Sequence, residues 1–280
     1  MTILNAIQTG IKELQAAEVP DPKEDTLLLL SHVMNIKRLL LYFNGEKLLS
    51  TQQEQLYKSL LLSRKSRLPL QYILHQQYFY GLKLFVDENV LIPRPETETL
   101  CEIALQFLKS FENPSVLDLC TGSGAIALTI KNEMPTAIVS ATDISFDALA
   151  IAKKNSQFNK LDVSFYQSDI FSNLKDNKYN LIVSNPPYIE SEHCKVLQKE
   201  VLFEPKLALD GGNDGLYFYR KIIKEAPTYL HTCGIILFEV GDKQACSVKE
   251  LFASIPNYQN IQIHKDLYGK NRIVSAKIIH

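Results

Sequence analysis

From residue 116 to 279, short apolar runs alternate with helical ones, and this alternation limits the fold more than any other feature of the chain. Val116-Leu117-Asp118-Leu119-Cys120 reads as an apolar strand, and Gly124 opens the helix after it, running to Lys131. Ala137 to Thr142 reads as a second strand, followed by a helix from Ser145, its cap, to Phe158. Val163 to Tyr166, Leu181 to Ser184 and Ile235 to Val240 add three more strands, with helices over 215–230 and 242–253. Ile261 to His264 and Ile273 to Ile279 close the sheet as an antiparallel pair. Such alternation predicts an α/β protein with a doubly wound, Rossmann-like sheet and a mainly parallel centre.

The first part of the chain reads differently. Thr2 can cap a helix to about Glu18, with Ile3, Ile7, Ile11 and Leu14 on one face. Asp21-Pro22 looks like a cap followed by proline at the first helical position, and Leu27 to Met34 continues that helix. A third helical segment begins at Thr51 and ends in the basic Arg64-Lys65-Arg67; Leu68 to Leu74 is a short further piece. Tyr78 to Val86 is aromatic and alternating around Gly81, which reads as a hairpin. Leu91-Ile92-Pro93-Arg94-Pro95-Glu96 should be extended, because residues before proline leave the helical region. The expected domains are a helical one over 1–78, a hairpin linker over 79–95 and a catalytic one over 96–280.

Charge narrows the class of partner. The chain carries −1 overall; residues 1–85 hold ten Lys/Arg against seven Asp/Glu, and residues 86–280 hold twenty against twenty-four. A protein that binds nucleic acid through phosphates normally shows a basic excess or stripe, and none is visible beside the strands. The +3 helical region reads either as a solvated bundle or as a docking domain for an acidic or ribonucleoprotein-associated partner. Cys101, Cys120, Cys194, Cys233 and Cys246 match no zinc spacing and read as reduced thiols. The six histidines (His32, His75, His193, His231, His264, His280) form no ligand-like cluster, so no metal is expected. Neither a signal peptide nor a membrane span is visible in the sequence, and a cytoplasmic monomer is expected.

Between the first strand and its helix lies Asp118-Leu119-Cys120-Thr121-Gly122-Ser123-Gly124-Ala125-Ile126-Ala127. Gly122 and Gly124 let the backbone turn sharply and approach a ligand. Asp143 ends the second strand, where a carboxylate can accept from both ribose hydroxyls. Gly122-x-Gly124-x-x-Ala127 also satisfies the dinucleotide fingerprint, so these residues leave an NAD-dependent oxidoreductase open beside an enzyme using a methyl-donor nucleoside. Asp169-Ile170-Phe171 favours the methyl donor: Phe171 could pack on an adenine face, or be a plain core aromatic.

Asn185-Pro186-Pro187-Tyr188 follows the fourth strand and is aimed at the same crevice. Two prolines stiffen the loop. The Asn185 side-chain oxygen and the Pro186 carbonyl then form two fixed acceptors for the two donors of an NH2 group. Tyr188 offers a flat face to a planar substrate. An amide nitrogen is a poor nucleophile because its lone pair is delocalised; two acceptors can bias it toward tetrahedral geometry. The sulfonium donor is already activated, so alignment and preorganisation suffice. Adenine and cytosine also present a planar NH2, which leaves a nucleic-acid methyltransferase as the alternative.

With these residues in view, the chain resembles the PrmC (HemK) family, glutamine methyltransferases of peptide-chain release factors. The resemblance covers essentially the whole chain. It is carried by Leu91 to Glu98, Asp118 to Ala127, Asp143, Ser168 to Phe171, Asn185 to Tyr188, Phe203-Glu204-Pro205 with Ala208-Leu209 and Gly211, and Asp266 to Arg272. It implies S-adenosyl-L-methionine contacts at Thr121, Gly122, Ser123, Gly124, Asp143, Phe171 and Asn185. It implies that Asn185, Pro186, Pro187 and Tyr188 hold the glutamine of a Gly-Gly-Gln motif, with Asn185, Pro186 and Tyr188 catalytic. Cys120 stands where many members have glycine, Phe171 where some have tryptophan, and Lys270-Asn271 where an acidic residue often precedes the arginine. Arg94 and Glu96 are expected either in an ion pair that pins the linker or at the substrate mouth.

Overall fold

The computed structural model describes residues 1–174 and 177–279. They divide into two compact units: residues 1–76 together with 198–203, and residues 77–197 together with those from 204 on.

The first unit contains α1 (Ile3–Ala16), α2 (Pro22–Met34), α3 (Arg38–Phe43), α4 (Thr51–Lys65) and α5 (Leu70–Leu74). Thr2 caps α1 by accepting from Asn5 N at 3.2 Å, and Ser50 with Gln53 forms a full capping box on α4. Pro22 starts α2 where a missing N–H costs nothing, though the Asp21 side chain makes no capping bond. Ile3, Ile7 and Leu14 pack with Leu29, Leu30, Leu41, Tyr57 and Leu61 as the core of this unit. The short α3 was not expected from the sequence; its Leu39 and Phe43 remain 78% and 85% exposed. The basic end of α4 is not a solvated face. Arg64 is buried, pairs with Asp25 at 2.7 Å and Glu200 at 2.9 Å, and donates to Leu68 O. Arg67 grips both Glu200 oxygens, at 2.6 and 2.7 Å. Burial works against the charge on Glu200, but the hydrogen bonds from Arg67 and Arg64 prevail and hold its carboxyl down at about 2.

The second unit opens with an antiparallel hairpin, β1 (Gln77–Phe79) and β2 (Leu82–Leu84), turned at Tyr80-Gly81 with both residues at positive φ. Next come α6 (Glu96–Leu108), β3 (Ser115–Leu119), α7 (Ala125–Glu133), β4 (Ile138–Asp143), α8 (Phe146–Asn159), β5 (Ser164–Gln167) and β6 (Tyr179–Ser184). They are followed by α9 (Tyr217–Glu225), β7 (Leu230–Glu239), α10 (Ala245–Ala253), β8 (Tyr258–Lys265) and β9 (Asn271–Ile278). The seven-stranded sheet has the order β5-β4-β3-β6-β7-β9-β8. Its first five strands are mutually parallel; β9 runs antiparallel to both β7 and β8. The chain builds outward from β3 to β4 and β5, then crosses to β6 on the other side. That reversal is the topological switch point, where ligands bind beyond the strand carboxyl ends.

Both faces of the sheet are covered. Val116 belongs to one buried cluster with Leu100, Ala104 and Ile126, while Leu117 and Leu119 belong to another with Ile182, Tyr219 and Phe238. This is why β3 reads as a continuous apolar run and not as an alternating one. The helix α6 was not expected. The two prolines before it point to extended chain, but Pro95 itself sits in the helical region at φ −57° and ψ −33° and leads into Glu96.

Candidate active site

The turn after β3 is made by three residues at positive φ: Cys120 at 59°, Gly122 at 54° and Gly124 at 84°. A side chain at that φ is strained, so Cys120 holds a conformation better suited to glycine. A Cβ on Gly122 would meet nothing within 4 Å, leaving its backbone open to an incoming group. Gly124 serves packing instead. A Cβ there would come within 3.3 Å of Ala152 Cβ and Leu128 Cδ1, so its absence lets α7 lie close to α8.

Two carboxylates hold this turn. Asp118 Oδ2 accepts from the Thr121 hydroxyl at 2.6 Å and from Ala127 N at 3.2 Å, while Oδ1 has no partner. Asp118 is fully buried; burial outweighs these bonds and pushes its carboxyl up to about 7. Asp143, at the end of β4, accepts from Gly122 N and from Ser145 N, each at 2.9 Å. Burial raises its carboxyl too, against those backbone hydrogen bonds. Asn155 on α8 supports the turn from behind: it accepts from Phe85 N and donates to Phe85 O and Ser123 O.

The second loop leaves β6. Ser184 Oγ donates to Leu119 O at 2.6 Å, joining the ends of β6 and β3. Asn185 Nδ2 donates to Thr97 Oγ1 at 3.4 Å. Pro186 and Pro187 are buried and Tyr188 half-buried. Tyr188 O accepts from Gln244 Nε2 at 2.8 Å, and Ile189 exchanges backbone bonds with Leu209 and Gly211. Gly211 is forced by close approach: a Cβ would lie 2.7 Å from Tyr188 Cα. Burial first, then the nearby Glu239 charge, pushes the Tyr188 phenol up, so it stays neutral.

Both loops open into one cavity of about 260 Å³, whose lining includes Cys120, Gly122, Asp143, Ser145, Ser168, Asp169, Ile170, Asn185, Pro187 and Tyr217. Of the residues singled out in the sequence, Gly122, Asp143, Asn185 and Pro187 line it. Thr121, Ser123 and Gly124 shape the turn from behind. Phe171 is core: it is 1% exposed and stacks on Tyr229 at 4.4 Å between ring centroids. The expectation that its ring covers a base gives way to this packing, and its neighbour Ile170, at φ 55°, lines the cavity instead. Arg94 is ion-paired not with Glu96 but with Glu204, whose other oxygen accepts from Ile92 N. Arg272 ties β9 to Asp242 and to Val240 O. Among the described residues no group of three His, Cys, Asp or Glu could hold a metal ion, and the five cysteines are free. His280 lies outside the described residues.

The sequence reading missed Glu239 and Thr97. Glu239 ends β7, fully buried, and accepts from the Thr97 hydroxyl at 2.6 Å. An acidic residue closing the apolar run Ile235 to Phe238 was the only signal available.

Residues 99–213 match the profile of the Methyltransferase small domain, and residues 5–74 that of the PrmC N-terminal domain. The release factor glutamine methyltransferase of Fusobacterium nucleatum is 38% identical, over 98% of this chain and 78% of its own. Proteins of the same name from Chlorobaculum tepidum and Streptococcus pneumoniae are 35% and 42% identical, over 98% and 82% of this chain and 97% and 82% of their own. Among solved structures, the hMettl16 catalytic domain in complex with the MAT2A 3'UTR hairpin 6 aligns with a TM-score of 0.58 at 16% identity, over 80% of each chain. A methyltransferase from Pyrococcus furiosus aligns at 0.55 and 18% identity, over 83% of this chain and all of its own. At these identities the two structures speak for the fold alone.

The state of Asp118 has a measurable consequence. Its folded carboxyl titrates near 7, above the unfolded value of about 3.9, so the native state binds the extra proton between those two pH values. Its contribution to stability is therefore present at low pH and lost as pH rises through about 7. Urea midpoints measured against pH should fall over that window, and Asp118→Asn should flatten the fall. An unchanged slope in the variant would assign it to other groups.

Proposed function

Because the chain belongs to the family of release factor glutamine methyltransferases, we propose that it transfers a methyl group from S-adenosyl-L-methionine to the side-chain amide nitrogen of the glutamine in the Gly-Gly-Gln motif of a release factor. The observation that carries this reading is the shared cavity: Gly122 and Asp143 stand on one side of the switch point and Asn185 with Pro187 on the other. Methyl donor and amide acceptor thus have separate, facing supports.

The residues present fit the donor. Gly122 leaves its backbone accessible, and the Asp143 carboxylate at the end of β4 is placed to accept from ribose hydroxyls. When bound, S-adenosylmethionine supplies a methyl group on a positively charged sulfur, so the chain itself need provide neither a metal nor a covalent nucleophile. Asn185 Oδ1 and Pro186 O hold the two hydrogens of the substrate amide and turn its lone pair out of conjugation. Tyr188 supplies a neutral aromatic wall. The effect comes from orientation and fixed dipoles.

The first unit takes the role of docking the protein substrate. Support comes from its excess of positive charge and from Leu39, Phe43 and Leu48, which are 78%, 85% and 67% exposed. No helix among the described residues is long and apolar enough to cross a membrane, and the proposed place of action is the cytoplasm, as a monomer.

Three measurements test this reading. With radiolabelled donor and release factor, DNA and ribosomal RNA supplied side by side, label should enter the release factor alone and vanish when the Gly-Gly-Gln glutamine is replaced. Label on nucleic acid with none on the release factor would defeat the substrate assignment. Asn185→Ala should lower kcat roughly 100-fold, the scale of losing one preorganised hydrogen-bond partner, far more than it weakens donor affinity measured by calorimetry. Wild-type turnover in that variant would remove Asn185 from the chemistry. Leu39→Ser with Phe43→Ser should raise KM for the intact release factor and leave donor binding unchanged; an unaltered KM would reduce the apolar face of α3 to an ordinary surface.

A further inference from the structure

We propose that Glu239 and Thr97 are positioning residues that fix which end of the Asn185 amide faces the substrate, and that through it they select a primary amide. The inference rests on the proposed role of Asn185 as the acceptor of the substrate NH2.

The arrangement follows from the sheet. In the parallel β6–β7 ladder Ser184 pairs with Phe238, so Asn185 and Glu239 are the next residues at the carboxyl ends of neighbouring strands. Thr97, in the first turn of α6, meets both. Its hydroxyl donates to Glu239 Oε2 at 2.6 Å, and its oxygen accepts from Asn185 Nδ2 at 3.4 Å. The Asn185 side chain is a further hydrogen-bonding neighbour of the Glu239 carboxyl.

The direction of this chain of bonds is set at its buried end. An ionised carboxylate can only accept, so Thr97 must spend its single hydrogen on Glu239. The Thr97 oxygen is then an acceptor toward Asn185, which turns its NH2 inward. Asn185 Oδ1 is left for the substrate, as the nitrogen donors of an amide require. Protonation of Glu239 permits the opposite polarity. Its O–H can donate to Thr97 Oγ1, Thr97 is freed to donate to Asn185 Oδ1, and the turned amide then opposes its own NH2 to the NH2 of the substrate. A carboxylate substrate fails against the first arrangement, because it sets two acceptors face to face.

Glu239 sits where this choice responds to pH. Burial is the largest influence and pushes its carboxyl up to about 7, against the Thr97 bond. Arg272 on β9 favours the charged form and Glu96 on α6 disfavours it. Cys101 on α6, Tyr188 in the loop and Tyr219 on α9 also face it; Tyr219 spends its hydroxyl on the Glu239 backbone carbonyl, at 2.8 Å.

The test is the pH dependence of kcat/KM for release-factor methylation between about pH 5 and pH 9, in wild type, Thr97→Ser, Thr97→Val and Glu239→Gln. Wild type and Thr97→Ser should rise with pH to a plateau above about 7. Thr97→Val, nearly isosteric but unable to relay, should lose roughly tenfold or more in kcat/KM, with the KM for donor unchanged. Glu239→Gln should lower the plateau and abolish the acid limb. A Thr97→Val enzyme equal to wild type, or an acid limb that persists in Glu239→Gln, overturns the relay while the methylation reading stands. A wild-type enzyme that labels no release factor overturns both. If Thr97→Val does not fold, the Glu239→Gln profile decides alone.

Discussion

The pairing of β3 with β6 governs the catalytic end of this molecule. Leu119 lies opposite Ser184 in a parallel register, and the hydrogen bond from Ser184 Oγ to Leu119 O closes the ladder at that end. Two strands that are far apart in sequence therefore stop at the same level. The turn at Cys120 and the loop at Asn185, which leave these two strands, must open into the same crevice. A slip of one residue would turn every side chain of one strand to the other face and separate the two halves of the site.

Around that point the protein tolerates local conflict. Cys120 and Ile170 hold left-handed conformations that cost a side chain on the order of 1–3 kcal/mol each, and both line the cavity. Asp118, one residue before the end of β3, and Glu239, at the end of β7 two strands away, are buried carboxyls, each accepting from a threonine hydroxyl. Isolated buried charges would be strongly disfavoured. Here burial instead brings their proton equilibria close to neutrality, where a change of protonation can alter which way a hydroxyl points. The apolar clusters on both faces of the sheet hold these groups in place.

The loop after Tyr188 is restrained along much of its length. Ile189 pairs with the segment at Asp210, Gly211 packs on the Tyr188 backbone, and Glu204 binds Arg94 and Ile92 N. Residues 198–203 of the same loop belong to the helical unit, where Glu200 is held by Arg64 and Arg67. Partly buried ion pairs with bidentate geometry exceed ordinary surface pairs in strength, and removing one partner leaves a charge uncompensated. Glu200 within the helical unit and Glu204 within the sheet unit are thus each held by arginine.

The sequence by itself determined the α/β class, the antiparallel pair that closes the sheet, the Gly122 turn and the proline-stiffened loop at Asn185. Each is encoded locally: by apolar runs, by glycines where the backbone takes a positive φ, and by prolines that stiffen the chain. The hidden parts depend on residues distant in sequence. Arg64 and Arg67 look like a solvated helix end until Glu200 arrives more than 130 residues later. Phe171 was legible as an aromatic after a strand, but only Tyr229 shows that its face is already taken. Glu239 and Thr97 carry no motif; their meaning comes from a sheet register that sets Asn185 beside Glu239 and from a helix start that places a hydroxyl between them. Local propensity determines which element a segment becomes, whereas the partner of a buried polar group is decided only when packing excludes water and leaves a single neighbour within reach.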